Sequence, residues 1–297
     1  MESLTIGIAS LGRPCLSRTL ASLCAIEMPP SLSIDIVVAD DDKNGQAAAR
    51  VAAGAPWGLP VRAVPVAAGN ISIARNACLD AARGDWVAFV DDDEWVDPDW
   101  LLRLFAAQDE FSADVVVGPV FPEYPPGTPD WLVAANPAFV DWGGRGKRLD
   151  TGRSGNVLIR RAAIGDHRFD PRLGKTGGED TDFFNRLHRG GAVIVATDDA
   201  RAFEEVPVAR LEPAYIRRRA MRSGQSYARF RLGEQAGRPL SNAIFYLDAA
   251  AKSLAAFAMG MALRPVRRDR SFRLSQRGWM NLGKVRQLTG RDLPSMY

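Results

Sequence analysis

The apolar positions of the first 200 residues alternate between two rhythms. Leu4-Thr5-Ile6-Gly7-Ile8-Ala9 is a strand-type run, residues 16–25 follow a helical pattern, and Ile34-Asp35-Ile36-Val37-Val38-Ala39 is strand-type again. A third strand is predicted at 61–64 and a helix at about 72–83, stopped by Gly84. A fourth strand, 86–90, runs for five positions without a polar residue. Strands alternating with helices predict βαβ units around a mainly parallel sheet, and the unbroken fourth run predicts a strand buried on both faces. Further strands are expected at 115–120, 156–159 and 192–196, with a helix at 181–189 closed by Gly190-Gly191. Residues 121–154, dense in Pro, Gly and Trp without a period, are too long for an idle connection and predict a binding loop or lid. From about Pro213 the pattern becomes basic and helical.

In open α/β sheets, ligands bind beyond the carboxyl ends of the strands. Two of those ends carry acidic runs: Asp40-Asp41-Asp42 after the second strand and Asp91-Asp92-Asp93-Glu94 after the fourth. Adjacent carboxylates repel one another unless something neutralises them. Hard oxygen donors suit Mg²⁺ or Mn²⁺, which take one or two protein carboxylates and complete the shell with diphosphate oxygens and water. Asp97-Pro98-Asp99 reads instead as a solvated turn. The 297 residues, 46% hydrophobic and 25% charged, exclude collagen-like, disordered and disulfide-scaffold classes. Cys15, Cys24 and Cys78 show no paired spacing and read as small core residues in a reducing compartment. No secretory leader is expected, and the longest apolar stretch, 254–263, is about half of the ~20 residues a spanning helix requires.

The run ARNACLDAARGDWVAFVDDDEWVDPDWL from Ala74, the run GGEDTDFFNRLHRGGAVI from Gly177, and IDIVVADDD from Ile34 together resemble the family 2 glycosyltransferases, and among them the bacterial exopolysaccharide enzymes of succinoglycan type. The resemblance spans roughly residues 4–200. It implies the GT-A nucleotide-diphospho-sugar fold, with a catalytic domain at 1–209 (nucleotide-sugar half 1–100, acceptor half 101–209). It implies Asp91 and Asp93 as the metal-binding pair, Asp92 near the ribose, and Asp40 or Asp41 on the nucleotide base. Ser10, Arg13 and Asn70 are further donor-site candidates; Arg75 and Asn76 match the family block but suit packing equally well. Glu179-Asp180 matches the acceptor-side acidic pair, with Asp180 the general base at a helix start. A late histidine metal ligand common in this fold has no counterpart, since His167 and His188 come too early; Glu204 or Glu205 could replace it. No Gln-x-x-Arg-Trp motif of processive synthases is present, so one sugar per binding event is expected.

The basic tail adds a second surface. Residues 210–297 hold 18 Lys/Arg against 5 Asp/Glu, although the whole chain carries only +3. Arg217, Arg218 and Arg219 share a helix with apolar residues and suit acceptor or phosphate contacts. The segment from Ile244 to Leu263, ending in Arg264-Pro265-Val266-Arg267-Arg268, can lie on an anionic bilayer or pack on a core through Leu247, Leu254, Phe257 and Met261. The expected enzyme is a metal-dependent, inverting, hexosyl-type transferase. It is expected to move one sugar from a UDP-sugar to a glycan, with a polyprenyl-diphosphate-linked glycan the candidate acceptor, in the cytoplasm or at the inner face of the plasma membrane, with no nucleic acid. The alternatives are a nucleotidyltransferase, which would need a more Gly-rich loop than Ala9-Ser10-Leu11-Gly12-Arg13-Pro14, and a catalytically silent partner in an assembly complex.

Overall fold

The computed structural model describes residues 2–234 and 239–289; the parts of the basic tail at 235–238 and 290–297 lie outside the described residues. In chain order the first elements are β1 (Ser3–Ser10), α1 (Leu16–Leu23), β2 (Ser33–Asp40), α2 (Gln46–Ala53), β3 (Val61–Pro65), α3 (Ile71–Ala81), β4 (Trp86–Phe89), β5 (Glu94–Val96) and α4 (Trp100–Phe111). Then come β6 (Val115–Val117), β7 (Val120–Glu123), α5 (Asp130–Ala135), β8 (Arg148–Leu149), β9 (Val157–Arg160), α6 (Arg161–Ile164), α7 (Glu179–Arg189), β10 (Ile194–Ala196) and β11 (Ala202–Glu205). Three long helices follow: α8 (Pro213–Glu234), α9 (Pro239–Leu263) and α10 (Arg268–Arg286).

Eight strands form one sheet in the order β3-β2-β1-β4-β9-β6-β10-β8. β1 pairs parallel with β2 and β4, β2 with β3, and β6 with β10. β9 enters antiparallel between β4 and β6, and β8 lies antiparallel on β10. The sheet is therefore more mixed than the strand-helix rhythm predicts, because an insertion rather than a crossover helix feeds β9. That direction matters for the site. Phe89, the last residue of β4, stands opposite Val157, the first of β9, so the residues just after β4 and just before β9 share one sheet edge.

Alternation along the strands separates two apolar cores. Leu4, Ile6, Ile8, Ile36 and Val38 face Leu16, Leu20, Leu23, Trp100 and Leu104 of α1 and α4. Val37, Ala39, Phe89 and Val157 face Ala74, Cys78, Phe183, Phe184 and Leu187 of α3 and α7. Every side chain of β4 is buried, as its unbroken apolar run predicts. Gly7 sits where a Cβ would come within 2.9 Å of Cys78 and 2.8 Å of the Phe89 ring, so this strand accepts no larger residue there. Burial pushes the Cys78 thiol up to about 12, which fits a packing role.

The described residues form two compact units: those up to Phe121 with Val140–Glu204, and Pro122–Phe139 with the described residues from Glu205 to Thr289. The stretch 122–139, expected to be part of a binding loop, groups with the C-terminal helices. There Trp131 of α5 meets Phe272 of α10 edge-on at 5.6 Å, Gln276 donates to the Pro137 carbonyl at 3.4 Å, and Arg273 donates to that of Ala134.

Candidate active site

The turn after β4 is held by side chains of β1, its following loop and α1. Ser10 Oγ donates to Asp92 Oδ2 at 2.6 Å, and Thr19 Oγ1 donates to the Asp92 carbonyl at 3.0 Å. Arg13 grips the run from the side, with NH2 on Asp92 Oδ1 and NH1 on Asp93 Oδ2 at 3.0 Å. Burial opposes the Arg13 charge, but the hydrogen bond and charge of Asp92, with Asp93 behind it, outweigh that and hold the guanidinium firmly protonated. Glu94 turns inward, 3% exposed, and accepts from the Asp91 backbone N–H at 3.0 Å. Burial first, and the neighbouring Asp91 charge second, push its carboxyl well above the usual range.

The second acidic pair meets the first through one arginine. α7 begins after Gly178, whose φ of 96° lies in the left-handed region that glycine tolerates, and this turn delivers Glu179 and Asp180 into the first helical turn. Arg75, buried on α3, donates through NH1 to Glu179 Oε1 and Asp180 Oδ1, each at 2.9 Å, and through NH2 to Asp91 Oδ1 at 3.3 Å. Ser154 Oγ also donates to Asp180 Oδ1. Both of these bonds to Asp180 fall on the same oxygen. Burial and the Asp180 charge raise the Glu179 carboxyl despite the opposing Arg75, and Glu179 Oε2 is buried without a hydrogen-bond partner.

Arg153, absent from the sequence expectations, joins this edge. Burial opposes its charge, but the fields of Asp180, Asp91, Glu204 and Glu94 together raise its pKa. Glu204 arrives by register, since β11 pairs antiparallel with β5 and sets Glu204 opposite Glu94. Ser10, Arg13, Asp91, Asp92, Asp93, Glu179, Asp180 and Glu204 therefore collect at one end of the sheet.

Other candidates have their polar atoms engaged elsewhere. Asp40 accepts from the backbone N–H groups of Asp42 at 3.2 Å and Ala48 at 2.8 Å. Asp41 accepts from those of Ala68, Gly69 and Asn70 at 2.6, 2.8 and 2.7 Å, so it orders the loop after β3. Asn70 caps α3, accepting from Ser72 and Ile73, and its amide donates to the Pro171 carbonyl at 2.9 Å. Asn76 exchanges two 2.8 Å bonds with the Phe169 backbone, a brace, whereas its neighbour Arg75 serves the acidic cluster. Arg217, Arg218 and Arg219 lie on α8 in the second unit, where Arg217 stands over the Trp279 ring at 5.5 Å.

The profile described as Glycosyl transferase family 2 matches residues 6–168. The chain belongs to this family. It is 39% identical over 236 residues to the succinoglycan biosynthesis protein ExoM of Rhizobium meliloti (strain 1021), covering 78% of this chain and 75% of that protein. Among solved structures, the mannosyltransferase PcManGT from Pyrobaculum calidifontis, in complex with GDP-Man and Mn²⁺, superposes with a TM-score of 0.62 at 17% identity over 97% of this chain and 88% of that one. TarS 1–349 of S. aureus with UDP-GlcNAc gives 0.56 at 16% identity over 98% and 93%. The fold is GT-A, and the acidic edge of this family 2 chain lies where the carboxyl ends of β1 and β4 meet.

The donor chemistry of that edge suits a divalent cation. Seven carboxyl groups, Asp91, Asp92, Asp93, Glu94, Glu179, Asp180 and Glu204, gather with three guanidiniums, Arg13, Arg75 and Arg153. Carboxyl groups outnumber guanidiniums at this edge, and an excess of acidic oxygens is what a divalent ion would offset. Among the described residues no group of three or more His, Cys, Asp or Glu side chains is placed to hold a metal ion. The cation suited to such an edge takes one or two protein carboxylates and draws its other ligands from a diphosphate, as Mg²⁺ and Mn²⁺ do.

Proposed function

We propose that this family 2 glycosyltransferase is a cation-dependent, inverting, hexosyl-type enzyme that moves one sugar from a nucleotide-sugar, a UDP-sugar first among them, to a lipid-linked glycan in exopolysaccharide biosynthesis. The observation that carries the reading is the Arg75 bridge, which sets a donor-side carboxylate, Asp91, within one guanidinium of an acceptor-side carboxylate, Asp180. The succinoglycan biosynthesis role of ExoM supports the exopolysaccharide assignment, and the donors bound by PcManGT and TarS support a nucleotide-sugar.

Asp91 and Asp93 would hold Mg²⁺ or Mn²⁺, with Glu204 as the further candidate, and the ion would supply charge neutralisation to the leaving diphosphate. Arg13 and Arg153 add fixed positive charge at the same edge. Asp92, fixed by Ser10 and Arg13, is set for the ribose, while Asp40 and Asp41 act on the nucleoside through the loops they order. Asp180 is the general base. Arg75 and Ser154 fix Oδ1, and Oδ2 takes the acceptor hydroxyl's proton as that oxygen bonds to the anomeric carbon and the nucleoside diphosphate departs from the opposite face. Arg217, Arg218 and Arg219 offer guanidinium forks suited to acceptor phosphates. The protein is read as cytoplasmic.

The test is release of nucleoside diphosphate from UDP-, GDP- and dTDP-sugars with Mn²⁺, with and without chelator, using a lipid-linked acceptor extract. Asp180→Asn should keep donor affinity and lose ~10²–10⁴-fold in kcat. Transfer that survives chelation, or an Asp180→Asn enzyme at near-normal rate, overturns the reading.

A further inference from the structure

α9 turns the usual amphipathic arrangement around. Its buried face consists of the small residues Ala249, Ser253, Ala256 and Gly260, set against α10. Ser253 Oγ donates to the Gly278 carbonyl at 3.0 Å, and the Gly260 carbonyl accepts from Ser271 Oγ at 2.6 Å. Its large residues point outward. Leu240, Ile244, Leu247, Leu254 and Met261 are 59–74% exposed, with exposed Ala251 and Ala258 completing the same four-three spacing. At 1.5 Å per residue the stripe runs about 32 Å. It ends at Val266, 78% exposed, among the exposed Arg264, Arg267, Arg268 and Arg270. A core helix would bury these large side chains; a continuous exposed apolar stripe marks a binding surface.

Three occupants are conceivable, and charge with packing separates them. α9 has 25 residues and an 18-residue stretch of mean hydropathy 1.2, enough by length and composition to cross a bilayer. Crossing is opposed by the hydrogen-bonded face on α10 and by the Asp248–Lys252 ion pair, 2.7 Å, near the helix middle. A second copy of the chain would bring the same excess of basic residues, 18 Lys/Arg against 5 Asp/Glu over 210–297, against itself. An anionic lipid surface complements that charge and accepts the apolar stripe at once.

We infer that α9 lies flat on an anionic bilayer, with the Leu240-to-Met261 stripe in the boundary between acyl chains and headgroups and the arginines that follow it on lipid phosphates. This goes beyond the donor-site reading and does not depend on it, because vesicle binding is scored without substrate.

The experiment is flotation of the full chain with vesicles of 30% phosphatidylglycerol in phosphatidylcholine, and of phosphatidylcholine alone, at 50 and 500 mM salt, with light scattering for oligomeric state. Binding to the anionic vesicles at low salt, falling at high salt, is expected. Arg264→Gln with Arg267→Gln and Arg268→Gln should weaken it on the order of 100-fold, at about fivefold per engaged arginine. Leu247→Gln with Leu254→Gln, both at exposed positions, should weaken it on the order of 20-fold with an unchanged melting temperature. Absence of binding at 50 mM salt, or equal binding to neutral vesicles, overturns the inference. So does a dimer that the leucine variant dissociates in the absence of vesicle binding, which would make the stripe a self-interface.

Discussion

Arg75→Met should cost more than any other single change at the acidic edge, and the loss should grow with pH. Arg75 and Glu179 are each 7% exposed, and the guanidinium also serves Asp180 and Asp91. Methionine preserves much of the volume but leaves a buried carboxylate unpaired, and breaking such a pair from one side costs about 3–5 kcal/mol. At roughly 2–4 °C per kcal/mol for a unit of this size, the melting temperature should fall by about 10 °C at pH 8. The sign with pH follows from Glu179. Its carboxyl is already raised by burial and by Asp180, and losing Arg75 raises it further. A carboxyl raised in the folded state favours folding below its unfolded pKa, and that contribution is lost as pH climbs through the folded value. The gap between variant and wild type should therefore be small near pH 5 and widen toward pH 8 when followed by circular dichroism. Adding Glu179→Gln should restore part of it by removing the unpaired charge. Equal melting temperatures, or a gap larger at pH 5 than at pH 8, would refute the reasoning.

Two further outcomes follow from the same geometry. Asp93→Ala should abolish Mn²⁺-dependent nucleoside diphosphate binding in calorimetry while the melting temperature holds, since Asp92 still retains Arg13; undiminished affinity would remove Asp93 from the cation site. Asn70→Ala should lose about 1 kcal/mol of cap energy, together with the bond to Pro171, whereas Asn70→Asp keeps the cap; a change confined to activity would make Asn70 a donor contact instead.

What could be read from the sequence was whatever depends on local periodicity. The β1 and β2 runs alternate or continue as apolar strands do, and their ends appear within a residue or two of the predicted positions. The acidic runs were visible because three adjacent aspartates after a buried strand need an explanation that solvent alone does not give. Their division of labour was not visible. Asp40 and Asp41 look like ligand contacts in one dimension, and in three they also accept backbone N–H groups, of Ala48 at the start of α2 and of Ala68, Gly69 and Asn70 before α3. α9 was legible only as a choice: its leucines sit at helical spacing and suit a bilayer or a core face equally, while the glycine and serine that permit close approach to α10 carry no hydrophobic signal.

Arg153 was hidden for a deeper reason. Nothing near it in sequence is acidic except Asp150, and an arginine before a strand is ordinarily a surface residue. Its surroundings are set by the direction of β9. Were β9 parallel to β4, its amino end and residues 153–155 would lie at the opposite edge of the sheet, away from Asp91. Because Val157 pairs with Phe89 in the antiparallel sense, Arg153 arrives among four carboxyl groups and Ser154 reaches Asp180. Gly155 is needed for the same approach, since a Cβ there would stand 2.4 Å from Glu94 Oε1. A reversal of strand direction has no local signature in the amino-acid pattern, yet here it determines which cation shares the active edge with the acceptor-side carboxylate.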